Sequence, residues 1–500
     1  MKGYAGGTPI RFLFVVWKSG RAIVFYHSRM RPGRLSSPCV NARVFRRDEV
    51  HTITTPLVLR ELLMNRDITR FLHKHGFVII LSMFAMFIGF NVAVAIQIFS
   101  EMLILPMDGI LCSSLLSFVI LRRTTIAAPV ANVSNPREIH VADLLEREVV
   151  PMDIAEACAF LKGQVILVTG AAGSVGSELC RQLLDCEPGL LIALDTNETG
   201  LFDLVEALRS RSHPRVSCLH PFIGDIADLQ RMQRLFAEKR PDIVFHAAAY
   251  KHVPLLEQFP DLAIRTNAIA TYHLCRLAQE YGVARFVFIS TDKAAEPVSV
   301  MGASKRLGEM IVQAVAKSMD DMTRFCAVRF GNVIGSRGSV VPIFTQQIEQ
   351  GGPLTITDPQ ATRYFMTIPE ACGLVIMAST MLCQGDLYLL NMGDPVRIID
   401  LAVKMIRLSG LRIGQDISIV YTGLRAGERL HETLVSTDEE VQPTANSHIL
   451  SITQKGNLPD LETIIQWIES LEEILEQRDG SQLREHLFEI VGEKRLMVTS

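Results

Sequence analysis

From Gln164 onward, short apolar runs alternate with amphipathic stretches: VILVTG (165–170), LLIALD (190–195), DIVFHAAA (242–249) and RFVFIS (285–290). Continuous apolar runs of this length mark strands buried on both faces, and the segments between them have helical periodicity. The pattern predicts an α/β fold over 163–335, a Rossmann-like, doubly wound parallel sheet. Beyond 335, helices and short strands mix less regularly, which predicts a smaller C-terminal lobe over 336–460, interleaved with the sheet domain. Residues 461–500 read as an acidic helical tail that packs on the body.

The N-terminal third is patterned differently. Phe77 to Ser100 contains no charged residue, and as a helix it would extend roughly 35 Å at about 1.5 Å per residue, enough to cross a hydrocarbon core. A second apolar stretch, Met102 to Leu121, is broken by Pro106 and Asp108 and ends at Arg122 and Arg123. The two predict a transmembrane hairpin of one or two helices over 77–123, with Asp108 near the far turn and both basic flanks inside. A buried helical hairpin of a soluble protein is the competing reading. Residues 1–76 form a basic region of unclear fold, and 124–162 a polar-to-amphipathic connector.

Charge sharpens this division. The whole chain carries −3, but residues 1–76 hold 14 Lys/Arg against four Asp/Glu, a balance of +10 that leaves −13 on the remainder. Basic residues confined to a poorly patterned tract beside an apolar run suit a bilayer partner and argue against nucleic acid. The ten cysteines make no CxxC pair or His/Cys cluster with metal-ligand spacing, so no metal site is expected and the thiols read as reduced and mostly buried. The short apolar stretch at 12–16 does not make a signal peptide, and the soluble part is expected to remain in the cytoplasm.

In VILVTGAAGSVGSELCRQLL, Gly170, Gly173 and Gly176 sit where a strand turns into a helix, with Ser174 and Val175 opening that helix. Side chains there would keep a pyrophosphate from the backbone N–H groups, so the turn reads as an anion cradle. Asp195, ending the next apolar run, would accept from the adenosine ribose hydroxyls and repel a 2′-phosphate, which favours NAD over NADP. Asp225 and Ile226 in GDIAD are candidates for the adenine end, with a plain turn Asp as the alternative. Ala247 and Ala248, after the third run, are candidates for the cofactor wall.

The glycine spacing resembles that of the extended short-chain dehydrogenases, whose usual pair is YxxxK with a Ser/Thr on the neighbouring strand. In ISTDKAAEPVSVMGASKRLGE, Lys305 stands at the lysine position and Ser290 and Thr291 at the strand end, but the tyrosine position is Met301. Methionine cannot carry a proton, and Asp292 with Lys293 offers an acid and a base side by side instead. Together with HAAAYKHVPLLE (246–257), VRFGNVIGSRGSVVPIF (328–344), GPLTITDPQATRYFMTIPEA (352–371) and TGLRAGERLHE (422–432), this resembles the membrane-bound bacterial UDP-N-acetylglucosamine 4,6-dehydratases of capsule, O-antigen and protein-glycan biosynthesis, in the branch with Met for Tyr. The likeness covers residues 136–490.

That resemblance implies a bacterial inner-membrane enzyme that oxidises the sugar at C4, eliminates water across C5 and C6, and returns the hydride to C6. It implies Asp292 as acid, Lys293 as base, Thr291 on the O4 hydroxyl and Lys305 on the nicotinamide ribose. The taker of the O4 proton stays open between Lys293, Thr291 and a relayed water. Arg337 and Arg425 are the cations available for the diphosphate of a UDP-sugar. By resemblance Asn332 also reaches the diphosphate, Glu428 accepts from the uridine ribose, and Asn267 supports the site. Lys251 and His252 are expected to line the sugar pocket, and Arg363 and Tyr364 to be lobe structure. The family's large members carry four spans and a further nucleotide-fold region; here at most two spans are expected. A homo-oligomer is expected by analogy with the superfamily. A UDP-sugar 4-epimerase, which normally keeps the tyrosine, and a catalytically silent nucleotide-sugar-binding protein are the alternatives.

Overall fold

The computed structural model describes residue 144, residues 153–318, 323–381 and 385–492, and the backbone of three strands within 13–45. The chain divides into two units, 1–128 and 129–500. In the first, Leu13–Lys18, Arg21–Tyr26 and Asn41–Phe45 form an antiparallel sheet in sequence order. The spans expected over 77–123 lie outside the described residues. Among the described residues, no helix is long and apolar enough to cross a membrane.

The second unit is built on a nine-stranded sheet. Its strands are β1 Val165–Thr169, β2 Leu190–Asp195, β3 Leu219–Ile223, β4 Ile243–His246, β5 Arg285–Ile289, β6 Arg324–Arg329, β7 Asp386–Leu390, β8 Glu439–Pro443 and β9 Ile449–Gln454. The order is β3-β2-β1-β4-β5-β6-β7-β9-β8. The first seven run parallel, and the order reverses between β1 and β4, the switch point at whose carboxyl end ligands bind in such folds. The hairpin β8–β9 adds two antiparallel strands, so the edge beside β7 is covered by chain from the far end of the sequence.

Helices α1 Ser174–Asp185, α2 Glu198–Ser210, α3 Leu229–Lys239, α4 Ala270–Glu280, α5 Val300–Lys317, α6 Ile368–Ala378, α7 Leu461–Gln477 and α8 Gly480–Ile490 sandwich the sheet. One face buries Phe236, Phe286, Phe288 and Leu307 with Ile468 and Leu487 of the tail. The other buries Ile166, Val168, Leu179, Phe245 and Leu374. Helix α5 is covered along nearly its whole length because α7 and α8 pack on it as well as α4. A third cluster, with Phe344, Ile356, Leu401 and Met405, forms the core of the lobe after β6.

Two expectations change. The third apolar run ends as a strand at His246, not Ala249, because the chain leaves the ladder there: Ala248 N donates to the Thr169 hydroxyl of the neighbouring strand. The cysteines are not all thiols either, since Cys158 and Cys186 form a disulfide, joining the helix Ala155–Leu161 to the end of α1. Cys180, Cys275 and Cys372 are buried thiols, and burial pushes each thiol upward in pKa.

Candidate active site

At the carboxyl end of β1 the chain turns through Gly170 at φ +69°. A Cβ at this position would lie 2.6 Å from Ala248 N, and one at Gly176 would strike the Gly170 carbonyl. The turn is thus closed to side chains, while the N-terminus of α1 begins at Ser174. Asp195 fixes the same turn: Oδ2 accepts from Ala172 N at 2.9 Å and Oδ1 from Asn197 N at 2.9 Å. Its carboxylate stays half-buried at the strand end, a position suited to ribose hydroxyls. Asp225 accepts from Ala227 N at 2.9 Å in a turn, and Ile226 beside it is buried in the core. The residues present therefore fit a dinucleotide, whose phosphates Gly170, Gly173, Ser174, Val175 and Gly176 would surround with Ala247 and Ala248 beside them.

One crossover further along, β5 delivers Ser290, Thr291, Asp292 and Lys293. The two hydroxyls point apart. Ser290 donates to Glu309 at 2.6 Å inside the protein, whereas Thr291 Oγ1 donates to Asp292 Oδ1 at 2.8 Å. Asp292 is 1% exposed; Oδ1 also accepts from Lys293 Nζ at 2.9 Å, while the buried Oδ2 has no partner. Gly331 leaves the space in front of it, since a Cβ there would be 3.2 Å from Oδ2. Lys293 Nζ further donates to Asn332 Oδ1 at 3.2 Å and lies 3.6 Å from Glu432 Oε1. Burial alone would depress the Lys293 pKa, but the Asp292 and Glu432 carboxylates overcome it and the net shift is upward.

Helix α5 is capped by Ser299, whose side chain accepts from Gly302 N at 3.1 Å, and carries Met301 and Lys305 on one face. Met301 is buried among apolar groups. Lys305 is 5% exposed, with Nζ 3.8 Å from the centroid of the Phe288 ring, and burial pulls its pKa down to about 7 against the opposing pull of Glu309. Beneath the helix lies a buried ion cluster. Arg329 donates to both oxygens of Glu309 at 3.0 and 2.7 Å and of Glu439 at 2.8 and 3.0 Å, and Arg306 bridges the same two carboxylates.

Asn267 lies in a π-helical turn, Ile264–Ile269, fully buried; its amide bonds Tyr250 N, Tyr250 O and Ser304 Oγ, so it braces the 247–252 loop against α5. Two expected placements are altered. Asn332 stands with Lys293 and not with Arg425. Arg337 turns to the nucleotide turn, its guanidinium donating to Ala172 O at 3.1 Å and its N–H to Ser174 Oγ at 3.0 Å. Arg425 and Glu428 form an exposed turn of the lobe, with Glu428 Oε2 accepting from Arg425 N at 3.3 Å. Lys251 Nζ donates to Arg337 O at 2.8 Å, and His252 abuts Gly338, so both face the 336–338 loop; burial lowers the pKa of each. Arg363 clamps the lobe by donating to Thr362 O, Leu430 O and Arg429 O.

Two participants escape sequence reasoning. Glu309 could have been found from its position one turn after Lys305. Glu432, the last residue of TGLRAGERLHE, gives no local signal, because its partner Lys293 lies far off in sequence, just after β5.

A family model described as polysaccharide biosynthesis protein matches residues 166–454. The capsular polysaccharide biosynthesis protein CapD of Staphylococcus aureus is 46% identical over 307 residues, 61% of this chain and 51% of that protein. The chain thus spans about half the length of this relative. A UDP-glucose 4-epimerase of Rickettsia bellii is 36% identical over 281 residues, 55% of this chain and 79% of that one. A UDP-N-acetylglucosamine 4,6-dehydratase (inverting) of Campylobacter jejuni is 34% identical over 280 residues, with the same coverages of 55% and 79%. Among solved structures, Pen from Bacillus thuringiensis superposes with a TM-score of 0.54 at 31% identity, over 60% of this chain and 90% of that one.

Proposed function

The chain belongs to the polysaccharide biosynthesis protein family, and from that premise we propose that it is an NAD-dependent nucleotide-sugar 4,6-dehydratase, converting UDP-N-acetylglucosamine to UDP-4-keto-6-deoxy-N-acetylhexosamine. The reading is carried by one observation: Thr291, Asp292 and Lys293 are linked at 2.8 and 2.9 Å beside a helix whose tyrosine position holds Met301. Elimination needs an acid and a base close together, and a simple alcohol oxidation does not.

When bound, NAD supplies the hydride acceptor for C4 and the donor for C6. The closed glycine turn and the α1 N-terminus hold its phosphates, and the Asp195 carboxylate disfavours a 2′-phosphate. Thr291 takes the O4 proton, since its own hydroxyl already donates to Asp292 and can pass a proton on. Asp292 then protonates O6, next to the space that its unpartnered Oδ2 faces. Lys293 removes the C5 proton. Met301 keeps the wall beside C4 apolar. Arg425 and Glu428 hold the uridine diphosphate from the lobe, and Lys251 and His252 border the sugar. The uncharged run 77–100 and its basic flanks support anchorage in a bacterial inner membrane with this site on the cytoplasmic side.

The test is incubation of the full chain with UDP-N-acetylglucosamine and catalytic NAD, followed by mass spectrometry. Loss of one water without net NADH is expected, and Lys293→Ala and Asp292→Asn should each abolish it. An isomer of unchanged mass would instead favour 4-epimerisation, the activity in the name of the Rickettsia relative.

A further inference from the structure

We propose that Glu432 is a third proton site in the reaction, taking the Lys293 ammonium proton before C5 is attacked and giving it back afterwards. This rests on the dehydratase reading above.

The need follows from counting protons. At rest the site holds an Asp292 carboxylate against a Lys293 ammonium, 2.9 Å apart. Elimination requires the reverse, a protonated Asp292 and a neutral Lys293. Oxidation at C4 releases one more proton, from O4. Two protons, one from O4 and one from Lys293, must therefore leave their first positions, and Asp292 accommodates only one. Among the described residues, the ionisable partners of Lys293 Nζ within 4.0 Å are Asp292 and Glu432. Its other neighbour, the Asn332 amide oxygen, cannot store a proton.

Glu432 is built for transient storage. It is 9% exposed, with Oε1 3.6 Å from Lys293 Nζ and 3.7 Å from Arg363 Nε. Arg363 gives this carboxylate a second cationic neighbour, one that does not itself exchange a proton. The groups facing this carboxylate are Lys293 with Asp292 from the β5 loop and Arg363 from the short strand Thr362–Arg363. On its own segment, His431 is tied to the Thr362 hydroxyl and Arg429 to Glu296.

The steps balance. The O4–H proton passes through Thr291 to Asp292 as the C4 hydride leaves, and the Lys293 proton moves to Glu432. Neutral Lys293 takes the C5 proton while Asp292 gives its proton to O6, and the C6–O bond breaks to release water. The hydride returns to C6, the Lys293 proton to C5, and the Glu432 proton to Lys293. Every protein group ends as it began.

The experiment measures kcat against pH for the full chain, Glu432→Gln and Glu432→Asp, with UDP-sugar affinity measured separately by calorimetry. Glu432→Gln should bind substrate as the parent does but lose kcat on the order of 100-fold near neutrality. Its kcat should climb with pH toward the parent's, because Lys293 must then lose its proton to solvent. Glu432→Asp should restore most of the rate and the flatter profile. A Gln variant as fast as the parent, or one whose acid limb moves to lower pH, would mean that Glu432 is only an anion beside a lysine and would overturn the proposal. So would an Asp variant as slow as Gln at every pH with substrate affinity intact. If the parent releases an isomer instead of a dehydrated product, the dehydratase reading itself falls, an outcome seen before any variant is made.

Discussion

His246 illustrates what a single side chain does at the bottom of this site. Its Nδ1 bonds the Thr169 hydroxyl at 2.7 Å and its Nε2 the Thr271 hydroxyl at 2.9 Å, tying the nucleotide turn to the segment that bears Asn267. Thr271 in turn donates to Asn267 O at 2.8 Å, so the imidazole donates through Nε2 and accepts at Nδ1, the neutral form. Burial, with help from the Lys305 charge, lowers its pKa from 6.5 to about 3. The unfolded chain therefore binds a proton that the native state refuses between pH 6.5 and about 3. Stability is retained above this window and lost as pH falls through it, by up to about 1.4 kcal/mol per pH unit. His246→Gln, which keeps an amide donor and acceptor, should flatten that slope in urea titrations run at several pH values; an unchanged slope would place the acid sensitivity elsewhere. Legibility at this scale follows chain distance. Thr291, Asp292 and Lys293 are readable because one strand end delivers all three. The directions of Arg337 and Asn332 are not, because sequence gives a side chain's type and not the carbonyl or ammonium it will meet.

Helix α5 and the loop before it form the element on which the chemistry stands. The helix packs so closely on the loop that a Cβ at Gly302 would run into the Lys293 carbonyl. Alanine normally improves a helix by about 1 kcal/mol over glycine. Here Gly302→Ala should instead displace Asp292 and Lys293, lowering turnover by more than tenfold with a much smaller loss of NAD affinity. Titration of cofactor binding beside a turnover assay checks this, and equal loss of both would mean general unfolding. The strands β1, β2 and β5 were readable from their apolar runs, since both faces are buried. The π-helical turn was not, because its extra residue leaves no period in the sequence; it exists to aim Asn267 at Tyr250 and Ser304. The Cys158–Cys186 pair was hidden for a similar reason, as 28 residues separate two cysteines that only the packed helices bring together.

For the whole molecule, the apolar periodicity conveyed the parallel sheet, while the antiparallel hairpin β8–β9 was lost among irregular lobe segments whose strands are only partly buried. If 77–123 anchors the chain, the full-length protein should stay with membranes through an alkaline carbonate wash, and a variant lacking those residues should be released; extraction of the full chain would end the anchor reading. The hairpin also bears on how such a protein can change. Glu439, at its start, supplies half of the negative charge around Arg329, and the other half comes from Glu309 on α5. Removing one partner from such a buried group costs roughly 3–5 kcal/mol, because the charge left behind has no water to turn to. The sheet and its last hairpin are therefore not interchangeable cassettes. A chimera that borrows its last hairpin from a cousin inherits an unmatched arginine under the helix of Met301 and Lys305 unless the carboxylate travels with it, so recombination within this lineage must cut outside 290–439 or carry both sides of the cluster together.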